Sequence, residues 1–256
     1  MLLAIDIGNS NIVLGCMNGN ELVRVFRMVT DSLKTEDEYA AGIAAILSFN
    51  DIDVSDFTGA AISSVVPPLT NVFREAVKRL TGLTAFVVGS GVKTGLNILI
   101  ENPATLAADM VCSAVAAPAK YPVPIFIIDM GTATKITVID KNSAYIGGAI
   151  CPGLALSADA MTRGASLLPK VPIEAPKKAI CGVTDDAMKS GIVFGAAAMV
   201  DGMLQRFEEE LGMPPATVVA TGGLASRVVP HCRERITYDD TLILDGLRIL
   251  YEKNKK

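Results

Sequence analysis

Tryptophan is absent from this chain, histidine occurs once, and the five cysteines form no CxxC pair. Each shortage excludes a class of function. Cys16, Cys112, Cys151, Cys181 and Cys232 are scattered, which leaves no zinc-ligand spacing and no thioredoxin-like dithiol. An odd number of thiols without an export signal points to a reducing compartment. His231 stands in "VVPHCRER" with no serine or cysteine motif beside it. A histidine-based triad has nothing to build on there, and His231 reads as a surface or capping residue. Outside the terminal "EKNKK" there is no run of lysine or arginine, and the net charge is −4. No global pull toward nucleic acid or an anionic membrane is expected. Asp6 interrupts the first apolar run and no basic residue precedes it, so that run is not a signal peptide. No uninterrupted apolar stretch reaches the ~20 residues of a membrane span. The expectation is a soluble, cytoplasmic protein without nucleic-acid or membrane partners.

The 256 residues are half apolar, enough for one large domain or two small ones with their own cores. Strand and helix patterns alternate. "LLAIDI", "IVLGCM" and "ELVRVFRM" read as three strands, followed by a helix in "KTEDEYAAGIAAILSFN" with its acids in the first turns. "TGAAISSVVP" is a small-residue strand stopped by Pro67 and Pro68, and "LTNVFREAVKRLTG" an amphipathic helix ending at Gly82. After the strand "TAFVVG", the run "NPATLAADMVCSAVAAPAKY" predicts one helix capped by Asn102, with Pro103 in its first turn. The class is α/β with mixed strand pairing. The long helix "DDAMKSGIVFGAAAMVDGMLQRFEEEL" offers Ala, Met and Gly on one side, for packing against a domain or against a second copy.

The first strand ends on a carboxylate, and the turn after it needs only glycine and asparagine. The same device returns half a chain later, where "VPIFIIDMGTATKITVID" is again strand, aspartate, glycine, small hydroxyl residues and strand. Asp6-x-Gly8-x-Ser10 and Asp129-x-Gly131-Thr132 are two versions of one hairpin, and "AYIGGAICPG" supplies a third strand as "ELVRVFRM" did. This self-similarity predicts two domains of related topology, 1–115 and 116–256, joined in the alanine- and proline-rich "AVAAPAKYPVP". Two such hairpins facing one cleft would bring carboxylates, glycine amides and hydroxyls to a nucleotide phosphate chain and its metal ion. "ATVVATGGLAS" adds a third glycine turn, Thr221-Gly222-Gly223, where backbone can approach a ribose or base closely.

The ordered set "DIGNSN", "SSVVPP", "ENPATLAAD", "DMGTAT", "GGAICPGLALSADAM", "LLPKV", "GVTDDAMKSGIVFG", "ATGGLAS" and "DGLRILYEKN" resembles the type III pantothenate kinases nearly end to end. These belong with the acetate and sugar kinases, Hsp70 and actin. The resemblance implies two ribonuclease-H-like (actin-like ATPase) domains with a cleft between them, and a homodimer with its substrate pockets at or near the subunit interface. It implies ATP with Mg²⁺, and a monovalent cation, potassium or ammonium. The implied reaction converts pantothenate to 4′-phosphopantothenate, the first step toward coenzyme A. Carried onto this chain, Asp6, Ile7, Gly8, Asn9, Ser10, Asn11, Ile12 and Val13 would contact ATP, with Asp6 on the magnesium ion. Thr132 would also contact ATP, as would Gly222 and Gly223, and Asp129 would ligate the monovalent cation. Ala107, Ala108, Asp109 and Met110 would border pantothenate, together with Ile100 and Thr184, and Asp109 would accept the proton of the substrate hydroxyl.

For Asp109 the plain alternative is a solvent-facing helix residue; for Asp6 and Asp129 it is an Asx-type turn, and for Thr184 a helix N-cap. Four positions depart from the family pattern. Its substrate loop reads Gly-Ala-Asp-Arg, where this chain has Ala107-Ala108-Asp109-Met110, and methionine cannot make the arginine's charge-assisted bond to a carboxylate. Ile100 stands where many members have tyrosine. Lys135 replaces a small hydroxyl residue, as a solvated strand residue or as a fixed positive charge in place of the potassium ion or the lost arginine. Two alternative functions follow: a kinase of another small alcohol, or a non-catalytic nucleotide-binding accessory protein.

Overall fold

The computed structural model describes residues 1–255. In chain order its strands and helices begin with β1 (Leu2–Ile7), β2 (Asn11–Asn18), β3 (Glu21–Val29), α1 (Glu36–Phe49), β4 (Gly59–Ser64), α2 (Pro67–Thr81) and β5 (Phe86–Val87). There follow β6 (Asn97–Ile98), α3 (Ala108–Lys120), β7 (Ile125–Met130), β8 (Ala133–Ile139), β9 (Ala144–Pro152), α4 (Leu154–Gly164) and α5 (Thr184–Leu211). The chain ends with β10 (Thr217–Thr221), α6 (Ala225–Val228), β11 (Thr237–Tyr238) and α7 (Leu242–Asn254).

These elements form two compact units. One holds 1–95, 102–116 and the segment from Thr241 on; the other holds 96–101 and 117–240. The central division falls inside α3. The last helix belongs with the first unit, so a single cut does not describe the chain.

The first unit is built on a sheet of order β3-β2-β1-β4-β5, antiparallel from β3 to β1 and parallel beyond. In the second, the order β9-β8-β7-β10-β11 repeats that arrangement, with β6 added beside β9. The expected internal repeat is therefore a repeat of topology, and the pairing is mixed as predicted.

Alternation along the strands decides what covers each face. In the first unit Leu3, Ile5, Ile7, Ile12, Leu14 and Ile62 pack against Tyr39 and Ile43 of α1 and Phe73 of α2. The opposite face carries Ala4, Gly15, Gly59 and Ala61, small enough for α7 to lie close. A methyl group on Gly15 would meet Leu244 at 2.9 Å, and one on Gly59 would overlap the Tyr251 ring. Asp6 and Ser63 share this small-residue face. In the second unit Phe126, Ile128, Ile136 and Val138 build the core with α4, α5 and α6, which leaves Asp129 and Lys135 on the other face.

Local chemistry explains the ends of the helices. Thr35 and Glu38 form a reciprocal capping box at the start of α1. Pro67 and Pro68, expected to stop a strand, also open α2, where a missing N–H costs nothing. Gly82 ends α2 at φ +73°. The single helix expected from Asn102 is two pieces. Asn102 caps one 3₁₀ turn, Pro103–Thr105; the chain is extended at Leu106, and α3 starts at Ala108.

By length and composition, the 28-residue α5 could cross a membrane, although no unbroken apolar run in the sequence does. Its charges are spread among small and apolar residues. Met188, Ile192, Val193, Ala197, Val200 and Leu204 enter the second unit's core, which answers how its apolar side is used.

Candidate active site

Asp6 is the penultimate residue of β1. Beyond it, Gly8 N–H bonds to Asn11 O at 3.0 Å and Thr30 Oγ1 donates to Gly8 O at 2.7 Å, closing the turn that exposes Asn9 and Ser10. The side chains of Ile7 and Ile12 are wholly buried in the core, so any contact they make with a nucleotide is through backbone only. Val13 lies directly opposite Asp6 on β2.

On the parallel side, β4 places Ser63 beside Asp6, and Ser63 Oγ donates to Asp6 Oδ1 at 2.9 Å. Ser63 is fully buried. The segment "SSVVPP" by itself assigns Ser63 no role; the register of β1 with β4 supplies it.

Asp109 lies in the first turn of α3 and is 8% exposed, which rules out the solvent-facing reading. Its Oδ1 accepts the N–H of Met110 at 2.7 Å. One turn on, Cys112 is fully buried. Burial above all pushes its thiol well above the usual range. The Asp6 carboxylate adds to this, a hydrogen bond with Ser63 pulls the other way, and Asp109 pushes it up again. Cys112 thus stays neutral, with Asp6, Ser63 and Asp109 of the same unit all acting on its thiol. Ala107, Ala108 and Met110, beside Asp109, are partly exposed.

The second unit repeats the hairpin with a different partner. Asp129, 8% exposed, is the penultimate residue of β7, with Thr221 of β10 at the place Ser63 holds beside Asp6. Between paired residues the turn has three residues, 131–133, where the first hairpin has four, 8–11. The residue opposite Asp129 is Lys135, whose Nζ lies 2.6 Å from Asp129 Oδ2. The side chains are 15% and 12% exposed. Lys135 is therefore not a solvated strand residue.

Thr132 is exposed at the tip of this turn. Gly222 has φ +96°, and a methyl group there would lie 2.6 Å from Met130 O. Glycine alone lets the β10–α6 turn close on the end of β7, and Gly223 follows it exposed. Ile100 is partly exposed. Thr184 is the exposed first residue of α5; the cap position belongs to Val183 and has no side-chain bond, which removes the N-cap reading of Thr184. His231 is exposed in a 3₁₀ turn, edge-on to Phe194 with ring centroids 5.0 Å apart. All five cysteines are free thiols.

A family model described as type III pantothenate kinase matches residues 2–206. A type III pantothenate kinase of Pelobacter propionicus is 44% identical over 255 residues, covering 100% of both chains. Among solved structures, a Campylobacter jejuni protein named as a Baf family transcriptional activator aligns at TM-score 0.61 and 18% identity, over 98% of each chain. A Listeria monocytogenes protein named as an N-acetylmannosamine kinase aligns at TM-score 0.52 and 13% identity, over 100% of this chain and 99% of the other. At such identities these two likenesses are of fold alone, the two-domain fold of sugar kinases and actin-like ATPases. The full-length sequence identity goes further: this chain belongs to the type III pantothenate kinase family.

Proposed function

We propose that this protein transfers the γ-phosphoryl group of ATP to the 4′-hydroxyl of pantothenate, the first step of coenzyme A synthesis. Family membership over the whole chain supports the reaction. The observation that carries the chemistry is the burial of Asp109 in the first turn of α3, on the same unit as Asp6 and Ser63. Asp109 takes the proton of the attacking hydroxyl, the freed oxygen bonds to the γ-phosphorus, and the bond to the β-phosphate oxygen breaks to release ADP. Such transfers proceed mainly by positioning and charge neutralisation.

The N–H groups and side chains of the 8–11 turn, with Thr132, Gly222 and Gly223, receive the nucleotide. Asp6 would hold Mg²⁺, which would supply neutralisation of the phosphate charge. Among the described residues no group of three or more His, Cys, Asp or Glu side chains gathers for a metal. Mg²⁺ commonly takes one or two carboxylates and completes its shell with phosphate and water. Ala107, Ala108, Met110, Ile100 and Thr184 border the acceptor.

The protein acts in the cytoplasm as a homodimer. Ile150, Leu156, Ile180 and Val183, exposed on the second unit, are suited to meet a second copy. Met110 favours one second reading, a kinase of a small alcohol without a carboxylate. Purified protein given Mg·ATP and either pantothenate or a panel of small alcohols separates the two. Phosphopantothenate as the main product supports the first reading, and transfer only to uncharged alcohols supports the second. ATP binding without any transfer rejects both.

A further inference from the structure

Asp6 and Asp129 hold the same place in two sheets of the same order, one residue before the end of the central strand. Each has a hydroxyl residue beside it on the parallel strand, Ser63 or Thr221. They differ across the hairpin. Asp6 faces Val13, whereas the shorter second turn sets Lys135 opposite Asp129. Residues opposite one another in an antiparallel pair project from the same face, and Lys135 Nζ reaches Asp129 Oδ2 at 2.6 Å with both side chains largely out of water.

The family resemblance puts an exchangeable monovalent cation on Asp129. The donor set found there does not fit one. The carboxylate already has a unit positive charge at contact distance, and a potassium ion would have to displace that ammonium or sit beside it against like-charge repulsion. Breaking a buried pair by removing one partner's contact leaves an uncompensated charge, which is strongly unfavourable. The lysine head group is itself a tethered ammonium, with one charge and three donors.

We infer that Lys135 supplies permanently the positive charge that an exchangeable potassium or ammonium ion would otherwise bring to Asp129, so that this protein works without a monovalent cation. Its activity arm rests on the kinase function proposed above; its binding arm does not.

The test compares KCl, NH₄Cl and choline chloride at constant ionic strength. Melting temperature and the rate of pantothenate phosphorylation are followed for the wild type, Lys135→Thr and Lys135→Arg. The wild type is expected to show the same melting temperature and rate in all three salts. Lys135→Thr is expected to lose about 100-fold in rate in choline, the scale of removing one fixed charge-stabilising group. Potassium or ammonium should restore that rate and raise the variant's melting temperature, as ions do that bind only the native state. Lys135→Arg, which keeps the charge, should stay insensitive to the salt.

A wild type whose melting temperature or rate rises specifically with potassium overturns the inference, even if Lys135→Thr fails to fold. So does a folded Lys135→Thr that is fully active in choline. If the wild type phosphorylates no pantothenate in any salt, the functional reading falls, and the melting-temperature response to potassium still decides the inference.

Discussion

Ser63 Oγ donates a 2.9 Å hydrogen bond to Asp6 Oδ1 across the parallel pair β1–β4, from a position with no solvent exposure. The bond fixes one oxygen of Asp6 and so sets the orientation of the carboxylate proposed to hold the metal ion. Bonds to a charged acceptor contribute about 1.5–3 kcal/mol. Ser63→Ala is expected to lower kcat about tenfold, a single bond's weight at the low end of that range, with the KM for pantothenate little changed. Steady-state kinetics with each substrate varied would check this; an unaltered kcat would remove Ser63 from the site.

Asp109→Asn keeps the shape and removes the base. Loss of a positioned general base lowers kcat by about 10²–10⁴-fold, while circular dichroism and the melting curve should stay close to the wild type. Retained activity would mean that the proton leaves by another route.

Met110 stands where the family pattern has an arginine. If the acceptor carboxylate docks at this position, Met110→Arg adds a charge-assisted bond, and the KM for pantothenate should fall about tenfold or more. An isothermal titration showing unchanged affinity would place the carboxylate elsewhere.

A methyl group on Gly246 of α7 would lie 1.9 Å from the backbone oxygen of Cys112 on α3. These helices touch backbone to backbone, so Gly246→Ala must push them apart. Overpacking of this kind costs about 1–3 kcal/mol or more, and the displacement bears on Asp109, three residues before Cys112. Urea denaturation should show the loss of stability, and activity should fall with it; a neutral outcome would mean that α7 is free to shift.

The capping box of α1 gives a pH signature. Thr35 N–H and Oγ1 both donate to Glu38 Oε2, at 2.9 and 3.0 Å, and these bonds hold the carboxyl below its ordinary 4.5. A group whose folded value is depressed stabilises the protein above its unfolded value, and loses that contribution as pH falls through the folded one. The wild type should therefore melt above Glu38→Ala at neutral pH. The gap should narrow as pH is lowered below 4.5; a gap independent of pH would assign the effect to helix propensity alone.

Much of the architecture is legible in residue type and spacing. Asp6-x-Gly8 and Asp129-x-Gly131, each closing an apolar strand, announce the repeated hairpin, because a carboxylate at the end of a buried run is costly without a use. Asp109 stands out in the same way, as an aspartate out of place in an apolar helix. The start of that helix is not legible, since a capped proline turn at Asn102 and a helix starting at Ala108 carry nearly the same local pattern. Nor does the sequence distinguish Lys135 from an ordinary strand lysine, because that depends on which residue comes opposite.

The sequence by itself determined the strand-helix alternation, the two carboxylate hairpins and the family, all of which rest on residue type and spacing along the chain. The tertiary structure decided partnerships. Ser63 becomes a partner of Asp6 through strand register, and Lys135 a partner of Asp129 because its turn is one residue shorter. Tertiary packing also returned α7 to the first unit, where Gly15, Gly59 and Gly246 clear a path for it. A slip of one residue in a strand turns every side chain to the other face, so these pairings are properties of the assembled sheets.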